Sequence, residues 1–366
     1  MLGGIDLGKR KNTYIFAPEQ KKGGNLGCLF TIVALIAAVA AAAILFNSAA
    51  NDRMELRTEK VTVMALDKAY EGLTVLHISD LHAAAIGSDL NIWRSLLYGK
   101  TYHAVVMSGD MVGKTGDYEP MLSLIHTLSQ INATAPIYFV AGDDDPAPIL
   151  STPRGTPEVL ADWVLAAQKA GAVYLDAPVS QQVGKKTAWF VPEYLYDVDA
   201  GGMLGSLQKQ KETMEAEGKQ YDAEGGAAYR ALCYRLDAME RTAEALKVML
   251  STDLQIAVTH APLTAEYIRT SIEWADQSTP FNFRSINLLL AGHYCGGQWR
   301  LPGAGAIYVP EMGWFPSDEG LVGMQRVNSI NQYISGGVGS SDFYPMKGRL
   351  FNAPNIALLR FTARIE

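Results

Sequence analysis

Five apolar segments of the chain each end in residues that commonly bind metal ions. Solvated Asp and His side chains ordinarily scatter over loops, so their repeated placement after apolar segments points to one shared site. Carboxylate and imidazole groups together suit a hard or borderline divalent cation. The residues that follow the five segments are Asp80 with His82, Asp110, Asp143 to Asp145, His260, and His293 with Cys295.

The first of these segments, GLTVLHISDLH over residues 72–82, shows how such a site would be built. Thr74 to Ile78 has the composition of a buried β-strand, and in an open α/β sheet ligands bind beyond the carboxyl ends of the strands. Asp80 and His82 are two residues apart, so in an extended segment they point to the same side. Both side chains can then reach one ion.

The segments between these strand ends predict an α/β fold with parallel strands. Strands are expected at 73–79, 104–108 and 137–141, with helices near 89–97 and 119–128 between them. Thr156-Pro157 predicts the start of a helix over 156–170. Further strands are expected at 173–175, 187–191, 254–259 and 287–291, with short β-like segments at 306–309, 332–335 and 356–361. Gly109, Gly142 and Gly292 lie at these strand ends, where the missing Cβ is expected to let the backbone approach a bound ion closely.

The polar segment from 204 to 250 has a helical period that is interrupted at Gly218 and at Gly225-Gly226. It is interpreted as an insertion or as a long helical cover. The charged segment before the first strand, with Val61, Val63 and Ala65 in alternation, suits a linker that enters an edge strand.

Leu26 to Phe46 contains 21 residues without a charge, which is long enough to cross a bilayer as a helix. Lys and Arg residues are more frequent before this segment than after it, which predicts a cytoplasmic N-terminus and a large domain outside the cytoplasm. A cleaved signal peptide is the alternative, because Ser48-Ala49-Ala50 resembles a cleavage site. The predicted organisation is a cytoplasmic tail (1–24), a transmembrane helix (25–47), a juxtamembrane linker with an edge strand (48–70), and a large domain (71–366) with the helical insertion at about 200–250.

Composition argues against two other classes of protein. The chain has 366 residues, of which 48% are hydrophobic and 19% charged, so it is expected to fold rather than to be disordered. Its net charge of −7 offers no basic surface for nucleic acid. Three cysteines exclude a disulfide framework. Cys233 and Cys295 could pair in an oxidising compartment, although Cys233 also fits a buried position on a helix.

Five motifs in this order and spacing resemble those of the calcineurin-like metallophosphoesterases, in particular their membrane-associated bacterial YkuE- and YaeI-like branch. The motifs are SDLH at 79–82, SGD at 108–110, AGDDD at 141–145, THAP at 259–262 and AGHYCGGQWRLPG at 291–303. The resemblance spans about residue 70 to the C-terminus. It implies a four-layer α/β/β/α sandwich, here preceded by one transmembrane helix.

The resemblance also implies two divalent metal ions, with manganese, iron and zinc as candidates. Asp80, His82 and Cys295 would hold one ion, and Asp143, His260 and His293 the other, with Asp110 as the bridge. Two cations about 4 Å apart can share a hydroxide and stabilise an in-line attack on phosphorus. Asp110 and Asp144 occupy the positions expected to take part in catalysis.

Three residues depart from the pattern of the family. Asp143 replaces an Asn, which adds an anionic ligand. Asp144 replaces the His that protonates the leaving group or contacts the phosphate, and a carboxylate near two dications is expected to be ionised and a poor acid. Cys295 replaces a His, and a thiolate favours zinc or iron over manganese or magnesium.

Two functions from different classes follow. The first is a membrane-anchored, metal-dependent phosphoesterase that acts on a phosphoester or phosphodiester outside the cytoplasm, with lipid-linked or envelope phosphoesters as candidate substrates. The second is a catalytically degenerate descendant that serves as a binding or scaffolding module. His77, His103 and His126 are expected to be structural. Late aromatic residues are expected to pack in the core or in loops, or to border a substrate cleft: Trp299, Trp314, Phe315 and Tyr344.

Overall fold

A computed structural model describes residues 26–51, 53–150, 159–345 and 348–363. The chain divides into two units, one ending at Phe46 and the other beginning at Asn47. The predicted cytoplasmic tail and the Thr156-Pro157 pair lie outside the described residues. The described helices are α1 Leu26–Asn51, α2 Leu90–Leu97, α3 Glu119–Ile131, α4 Asp162–Lys169, α5 Ala200–Ala216, α6 Ala223–Val248 and α7 Ala265–Trp274.

The first unit contains an apolar helix. Within α1, the span Gly27–Ser48 has 22 residues and is long and apolar enough to cross a membrane. Its large apolar side chains, such as Phe30 and Leu35, are exposed. This confirms a helix with the length and composition of a membrane span.

The second unit is built from two six-stranded sheets and one three-stranded sheet. The first sheet has the strand order β1-β15-β2-β3-β4-β5, the second has the order β13-β14-β9-β8-β7-β6, and the small sheet has the order β10-β11-β12. The strands are β1 Glu55–Thr62, β2 Thr74–Ile78, β3 Ala104–Ser108, β4 Ile137–Val140, β5 Ala172–Tyr174, β6 Val179–Val183, β7 Lys186–Pro192, β8 Leu254–Val258, β9 Ile286–Ala291, β10 Trp299–Leu301, β11 Gly305–Val309, β12 Gly313–Trp314, β13 Gly323–Val327, β14 Ile330–Ile334 and β15 Asn355–Thr362.

Two apolar clusters place the layers on each other. One cluster joins the inner faces of both large sheets, for example Val106 of β3 and Tyr138 of β4 with Phe190 of β7. Another covers the outer face of the first sheet with side chains of α2, α3 and α4. The outer face of the second sheet is covered by α5 and α6 and by α7. The unit is therefore the predicted four-layer α/β/β/α sandwich.

The central strands are buried on both faces, which explains why they appear in the sequence as continuous apolar segments. All residues of β2, β3, β4 and β8 are buried. The strands β2 to β5 run parallel to one another, as do β7, β8 and β9. Parallel neighbours bring their carboxyl ends to the same edge of each sheet.

One predicted helix begins later than expected, and the predicted helical cover takes one of its two expected forms. The helix predicted from 156 begins at Asp162, because Leu160 pairs with Ile149 as an antiparallel bridge and so cannot join the helix. The polar segment after β7 forms α5 and α6, which cross from β7 to its parallel neighbour β8 and pack on the second sheet. These helices thus act as a cover. The predicted edge strand is β1, which pairs only with β15 in the sheet order.

Candidate metal centre

The five strand ends meet at one place in the second unit. Asp80, Asp110 and Asp143 follow the adjacent parallel strands β2, β3 and β4 of the first sheet. His260 and His293 follow the adjacent parallel strands β8 and β9 of the second sheet. Because the two sheets pack face to face, their carboxyl edges bring all five side chains together.

Four of these residues form a compact group, here called the second cluster: Asp110, Asp143, His260 and His293. Their ligand atoms all lie within 4.8 Å of one another. Asp143 Oδ1 lies 2.8 Å from His260 Nε2 and 3.1 Å from His293 Nδ1, and the two ring nitrogens are 3.2 Å apart. Ligands about 2.1 Å from one ion lie roughly 3.0–3.4 Å apart, so the spacing fits a single divalent ion.

Asp80, His82 and Cys295 form a neighbouring group, here called the first cluster, within the same 4.8 Å limit. Cys295 Sγ lies 3.8 Å from His82 Nε2. A sulfur about 2.3 Å and a nitrogen about 2.0 Å from a tetrahedral zinc ion would be roughly 3.5 Å apart, so this pair also fits. His82, Asp110 and Asp144 meet the same limit, which places Asp144 beside the first cluster.

Asp110 lies between the two clusters. Its Oδ2 atom is 3.1 Å from His260 Nε2 on one side and 3.7 Å from His82 Nε2 on the other. Its Oδ1 atom accepts a hydrogen bond of 2.9 Å from the backbone N–H of Asp144, which fixes the orientation of the carboxylate. One carboxylate oxygen is thus in reach of ions held in both clusters.

The backbone at this site is held in an unfavourable conformation. Ten described non-glycine residues have positive φ, and five of them are predicted ligands. A side chain in this region costs of order 1–3 kcal/mol, and such residues concentrate at functional sites. The sharp turn that each one makes directs its side chain back towards the cluster. The five are Asp80, His82, Asp110, His293 and Cys295.

The glycines at the strand ends leave room for the ligand side chains rather than for the ions, which corrects the expectation from sequence. A Cβ on Gly142 would lie 2.0 Å from Asp110 Oδ1, and one on Gly109 would lie 2.6 Å from His260 Nδ1. At Gly292 a Cβ would lie 2.6 Å from Asp80 Oδ2. Each glycine is therefore required by the position of a ligand.

Groups behind the ligands fix their orientation. His260 Nδ1 lies 2.9 Å from the carbonyl oxygen of Ser108, so it donates there and leaves Nε2 free to bind an ion. The Ser108 hydroxyl in turn lies 2.8 Å from His77 Nε2. His77 is fully buried, and burial lowers its pKa to about 3. It is therefore a neutral supporting residue outside both clusters.

Asp145 organises the loop that carries Asp143 and Asp144. Its buried carboxylate accepts hydrogen bonds of 2.7, 2.8 and 2.9 Å from the backbone N–H groups of Val112, Gly113 and Gly142. These bonds tie the end of β4 to the loop after β3. Asp145 was identified only as part of a strand end, and sequence gave no sign of this supporting role.

The carboxylate of Asp144 is buried and paired. Its Oδ1 atom lies 3.1 Å from Lys114 Nζ, and its Oδ2 atom lies 3.8 Å from His82 Nδ1. The Lys114 ammonium also lies 3.4 Å from the centre of the Phe343 ring. Burial raises the pKa of Asp144, and Lys114 opposes that shift. Lys114 had no signal in the sequence because it lies in a loop.

Glu311 is a second residue that sequence reasoning missed. Its Oε1 atom lies 2.9 Å from His293 Nε2, so it holds the imidazole from the side opposite Asp143. Burial lowers the pKa of His293, but the hydrogen bonds to Asp143 and Glu311 outweigh it and raise that pKa to about 9. Glu311 lies between β11 and β12, far in sequence from every strand end.

The remaining ionisable ligands form one strongly coupled group. Hydrogen bonds from His260 and His293 lower the pKa of Asp143. Burial lowers the pKa of His260, but Asp110 and Asp143 raise it well above its usual value. Such convergence of carboxylates and imidazoles requires positive charge, which can come from protons on the imidazoles or from divalent ions.

Cys295 is fully buried in the first cluster. Burial, and then the charge of Asp80, raises the pKa of its thiol well above the usual value. Its carbonyl oxygen accepts bonds of 3.1 Å from Arg349 and 3.0 Å from Asn352. Among the described residues Cys28, Cys233 and Cys295 are all free, so the pairing considered for Cys233 and Cys295 is absent.

The other candidates from sequence are not members of either cluster. His103 Nδ1 accepts a bond of 3.0 Å from the backbone of Thr74, and His126 is exposed on α3. Trp299 and Tyr344 are buried against each other, whereas Trp314 and Phe315 are exposed. The structural reading of these two histidines therefore agrees with their surroundings.

Comparison with known proteins gives little beyond the geometry. No protein-family profile matches the sequence, and no curated protein matches it. The structure is similar to the crystal structure of phosphopantetheinyl hydrolase (PptH) from Mycobacterium tuberculosis, at 13% identity over 73% of this chain and 91% of that one. The TM-score of 0.36 is too low for this likeness to support a functional conclusion.

Proposed function

We propose that this chain is a metal-dependent phosphoester hydrolase with two divalent ions, one in each cluster. The position of Asp110 carries the proposal, because one carboxylate oxygen lies 3.1 Å from His260 in the second cluster and 3.7 Å from His82 in the first. Two clusters that share a carboxylate are the arrangement expected of a two-metal hydrolase.

When bound, a pair of divalent ions would lower the pKa of a water molecule and stabilise the oxygens of an in-line displacement. In the overall reaction the water oxygen forms a bond to phosphorus, the P–O bond of the ester breaks, and the alcohol leaves with a proton. The chain would contribute by holding its ligands in place before substrate arrives. Asp145, Ser108 and Glu311 fix the loop, His260 and His293 respectively.

Lys114 offers a positive charge at the edge of the site. It is half exposed, and the Phe343 ring and the Asp144 carboxylate hold its ammonium group. Asp144 occupies the position where the family resemblance places a histidine, so the site has no imidazole there. Burial raises the pKa of Asp144 despite Lys114, so leaving-group protonation by this carboxyl would depend on how far Lys114 and bound ions offset burial.

The substitutions at Asp144 and Cys295 favour the second candidate function, a binding or scaffolding module with the same fold. Asp144 and Cys295 would then be the changes that removed turnover while some metal binding was retained. Metal content alone does not distinguish the two candidate functions, because both allow metal binding. It therefore has to be measured together with hydrolysis.

The N-terminal helix is proposed to anchor the chain in a cell membrane as a single span, with the N-terminus in the cytoplasm and the large domain outside. The apolar span Gly27–Ser48 and the excess of Lys and Arg before it support this topology. The substrate is then a lipid-linked or envelope phosphoester. Protease added to intact cells should digest the large domain, and full protection of that domain would contradict the orientation.

The test of the hydrolase uses the full chain in detergent, loaded with manganese, iron or zinc. We expect about two ions per chain and hydrolysis of an activated aryl phosphodiester. Asp110→Asn should lower activity by about 10³-fold and release at least one ion, because it removes the negative charge that faces both clusters. The matched control is Asp237→Asn on the exposed face of α6, which breaks only an exposed ion pair with Arg241.

Fewer than one ion per chain with every metal tried would contradict the two-metal proposal. Unchanged activity of Asp110→Asn would contradict the bridging role. Two bound ions without hydrolysis of any ester would favour the binding module.

A further inference from the structure

A cavity of about 460 Å³ opens beside the second cluster. Asp143, His260 and His293 form one part of its wall, and the carboxyl ends of β4, β5, β7 and β8 form the rest together with Glu311. An ester whose phosphorus lies at the metal ligands would extend its alcohol part into this space. The wall of the cavity therefore determines which alcohol fits.

Glu193 belongs to this wall and occupies a strand end like those of the ligands. It follows β7, which pairs in parallel with β8 so that Pro192 lies opposite Val258. Glu193 is thus one residue beyond this pair, and His260 is two residues beyond it on the neighbouring strand. Glu193 is therefore next to the second cluster without being one of its ligands.

One carboxyl oxygen of Glu193 is buried and has no hydrogen-bond partner among the described residues. This oxygen is Oε1, and the residue as a whole is 8% exposed. A buried carboxyl oxygen without a hydrogen-bond partner is unfavourable unless something else binds it. Because the group lines a cavity next to the candidate active site, that partner can come from a ligand.

The cavity is acidic and aromatic. Asp143 belongs to the second cluster and Glu311 is paired with His293, so Glu193 is the carboxyl group of the wall that neither role occupies; no Lys or Arg lies among the described lining residues. Tyr174 and Tyr194 add two aromatic rings. Carboxylates with tyrosine rings bind ammonium groups well, through charge-assisted hydrogen bonds and through the faces of the rings. The same walls would repel a second phosphate or a carboxylate.

We infer that this cavity recognises a primary ammonium group on the alcohol part of the phosphoester, and that Glu193 is the residue that determines this specificity. The inference rests on the proposed hydrolase function and narrows its substrate class to esters of amino alcohols. A neutral alcohol would satisfy Glu193 less well, because only an ammonium group offers both charge and several N–H donors.

The test compares three esters of 4-nitrophenyl phosphate that differ in one group: 2-aminoethyl, propyl and 2-carboxyethyl. With the metal-loaded full chain, kcat/KM should be at least about 10-fold higher for the aminoethyl ester than for the propyl ester, and lowest for the carboxyethyl ester. Glu193→Gln keeps the shape but removes the charge, so it should reduce the aminoethyl-to-propyl ratio by about 10-fold or more. Glu273→Gln, an exposed change on α7, should leave that ratio unaltered.

A binding measurement keeps this test separate from the hydrolase proposal. In calorimetric titrations, O-phosphoethanolamine should bind more tightly than propyl phosphate, and Glu193→Gln should remove the difference. Preferential binding without hydrolysis of any ester would retain the inference about the cavity and contradict the hydrolase. Hydrolysis with equal ratios for the wild type and Glu193→Gln would retain the hydrolase and overturn the inference. A variant that unfolds is replaced by Glu193→Asp, which keeps the charge but shortens its reach and should lower the ratio in part.

Discussion

The two metal clusters share a carboxylate but differ in how they meet solvent. In the first cluster Asp80 and Cys295 are fully buried, and the side chain of His82 is nearly so. In the second cluster nearly half of the Asp143 side chain is exposed, and the cluster borders a cavity. An ion in the first cluster would therefore be shielded from solvent, whereas the second cluster would be the side open to substrate.

The two clusters also differ in the types of ligand that they offer. A buried thiol beside an imidazole favours a soft or borderline ion, and Arg349 and Asn352 hold the backbone of Cys295 in place. Two imidazoles with two carboxylates in the second cluster accept a wider range of ions. In the proposed two-metal site, the first cluster would therefore keep a fixed ion, while the second would exchange its ion and bind substrate.

Among the differences between the two clusters, the largest is expected from Cys295→Ser. Removing the sulfur ligand should weaken zinc at the first cluster by about 10²-fold or more, since even loss of a supporting partner costs 10–100-fold in affinity. Manganese at the second cluster should change by no more than a few-fold. With cobalt, the wild type should show a thiolate-to-metal charge-transfer band that the variant lacks.

Cys233→Ser is the matched control, because Cys233 is a half-buried residue of α6 outside both clusters. It should leave the cobalt spectrum unaltered. If Cys295→Ser keeps the charge-transfer band, Cys295 is not a ligand and the two clusters do not differ in the way described.

The next effect concerns Asp144, which lies beside the first cluster. Asp144→His should raise activity towards alkyl phosphodiesters by about 10²-fold relative to 4-nitrophenyl esters, because only a poor leaving group needs a proton donor. Cys295→His alone should instead shift the preference of both substrate types towards manganese. The ratio of rates on the two substrates is the measurement, and each variant is assayed with each metal.

The double variant, Asp144→His with Cys295→His, decides between the hydrolase and the binding module. If it binds two ions and gains activity on neither substrate, these substitutions do not limit turnover, and the binding module becomes the better interpretation. A gain confined to alkyl esters for Asp144→His would support the hydrolase and assign the missing proton donor to that position.

The strand ends were predictable because burial on both faces produces apolar segments that end abruptly. Asp80, Asp110 and His260 were found in this way, and the described strands begin and end within two residues of those expected around them. Glu193 follows β7 in the same manner, so the same rule could have found it. It was overlooked because Glu was not counted among the metal-binding residue types.

Other features had no signal in the sequence. The positive φ of Asp80 and Cys295 results from turns that tertiary contacts impose, and nothing local distinguishes it from ordinary loop geometry. Lys114 and Glu311 reach the site from loops whose positions depend on the packing of the two sheets. The start of α4 was misplaced because the bridge between Leu160 and Ile149 competes with a good local helix signal.

The smallest expected effect is a pH-dependent change in stability. It distinguishes two buried carboxyl groups, Asp80 in the first cluster and Glu193 in the cavity beside the second. Burial raises the pKa of both Asp80 and Glu193. Asp80 accepts hydrogen bonds from the Ser79 hydroxyl and, at 2.9 Å, from the backbone N–H of His293, whereas Glu193 Oε1 has no partner among the described residues. Burial, and then the charge of Asp197, raises the pKa of Glu193 to about 7 from 4.5. The native state therefore binds the proton of Glu193 more tightly than the unfolded state does.

This contribution to stability is fully present below about pH 4.5 and is lost as the pH rises through about 7. Glu193→Gln cannot lose a proton, so it should equal the wild type near pH 4.5 and exceed its free energy of unfolding by about 2 kcal/mol at pH 8. Urea unfolding of the full chain in detergent with a metal chelator measures this difference at both values. Asp80→Asn should instead be destabilising at pH 8. The carboxylate accepts hydrogen bonds from the Ser79 hydroxyl and the His293 N–H with its two oxygens, and the amide of Asn has only one oxygen to accept them. If Glu193→Gln gives the same difference at both pH values, Glu193 is paired in solution, and the cavity has no unmet carboxyl group to bind an ammonium ion.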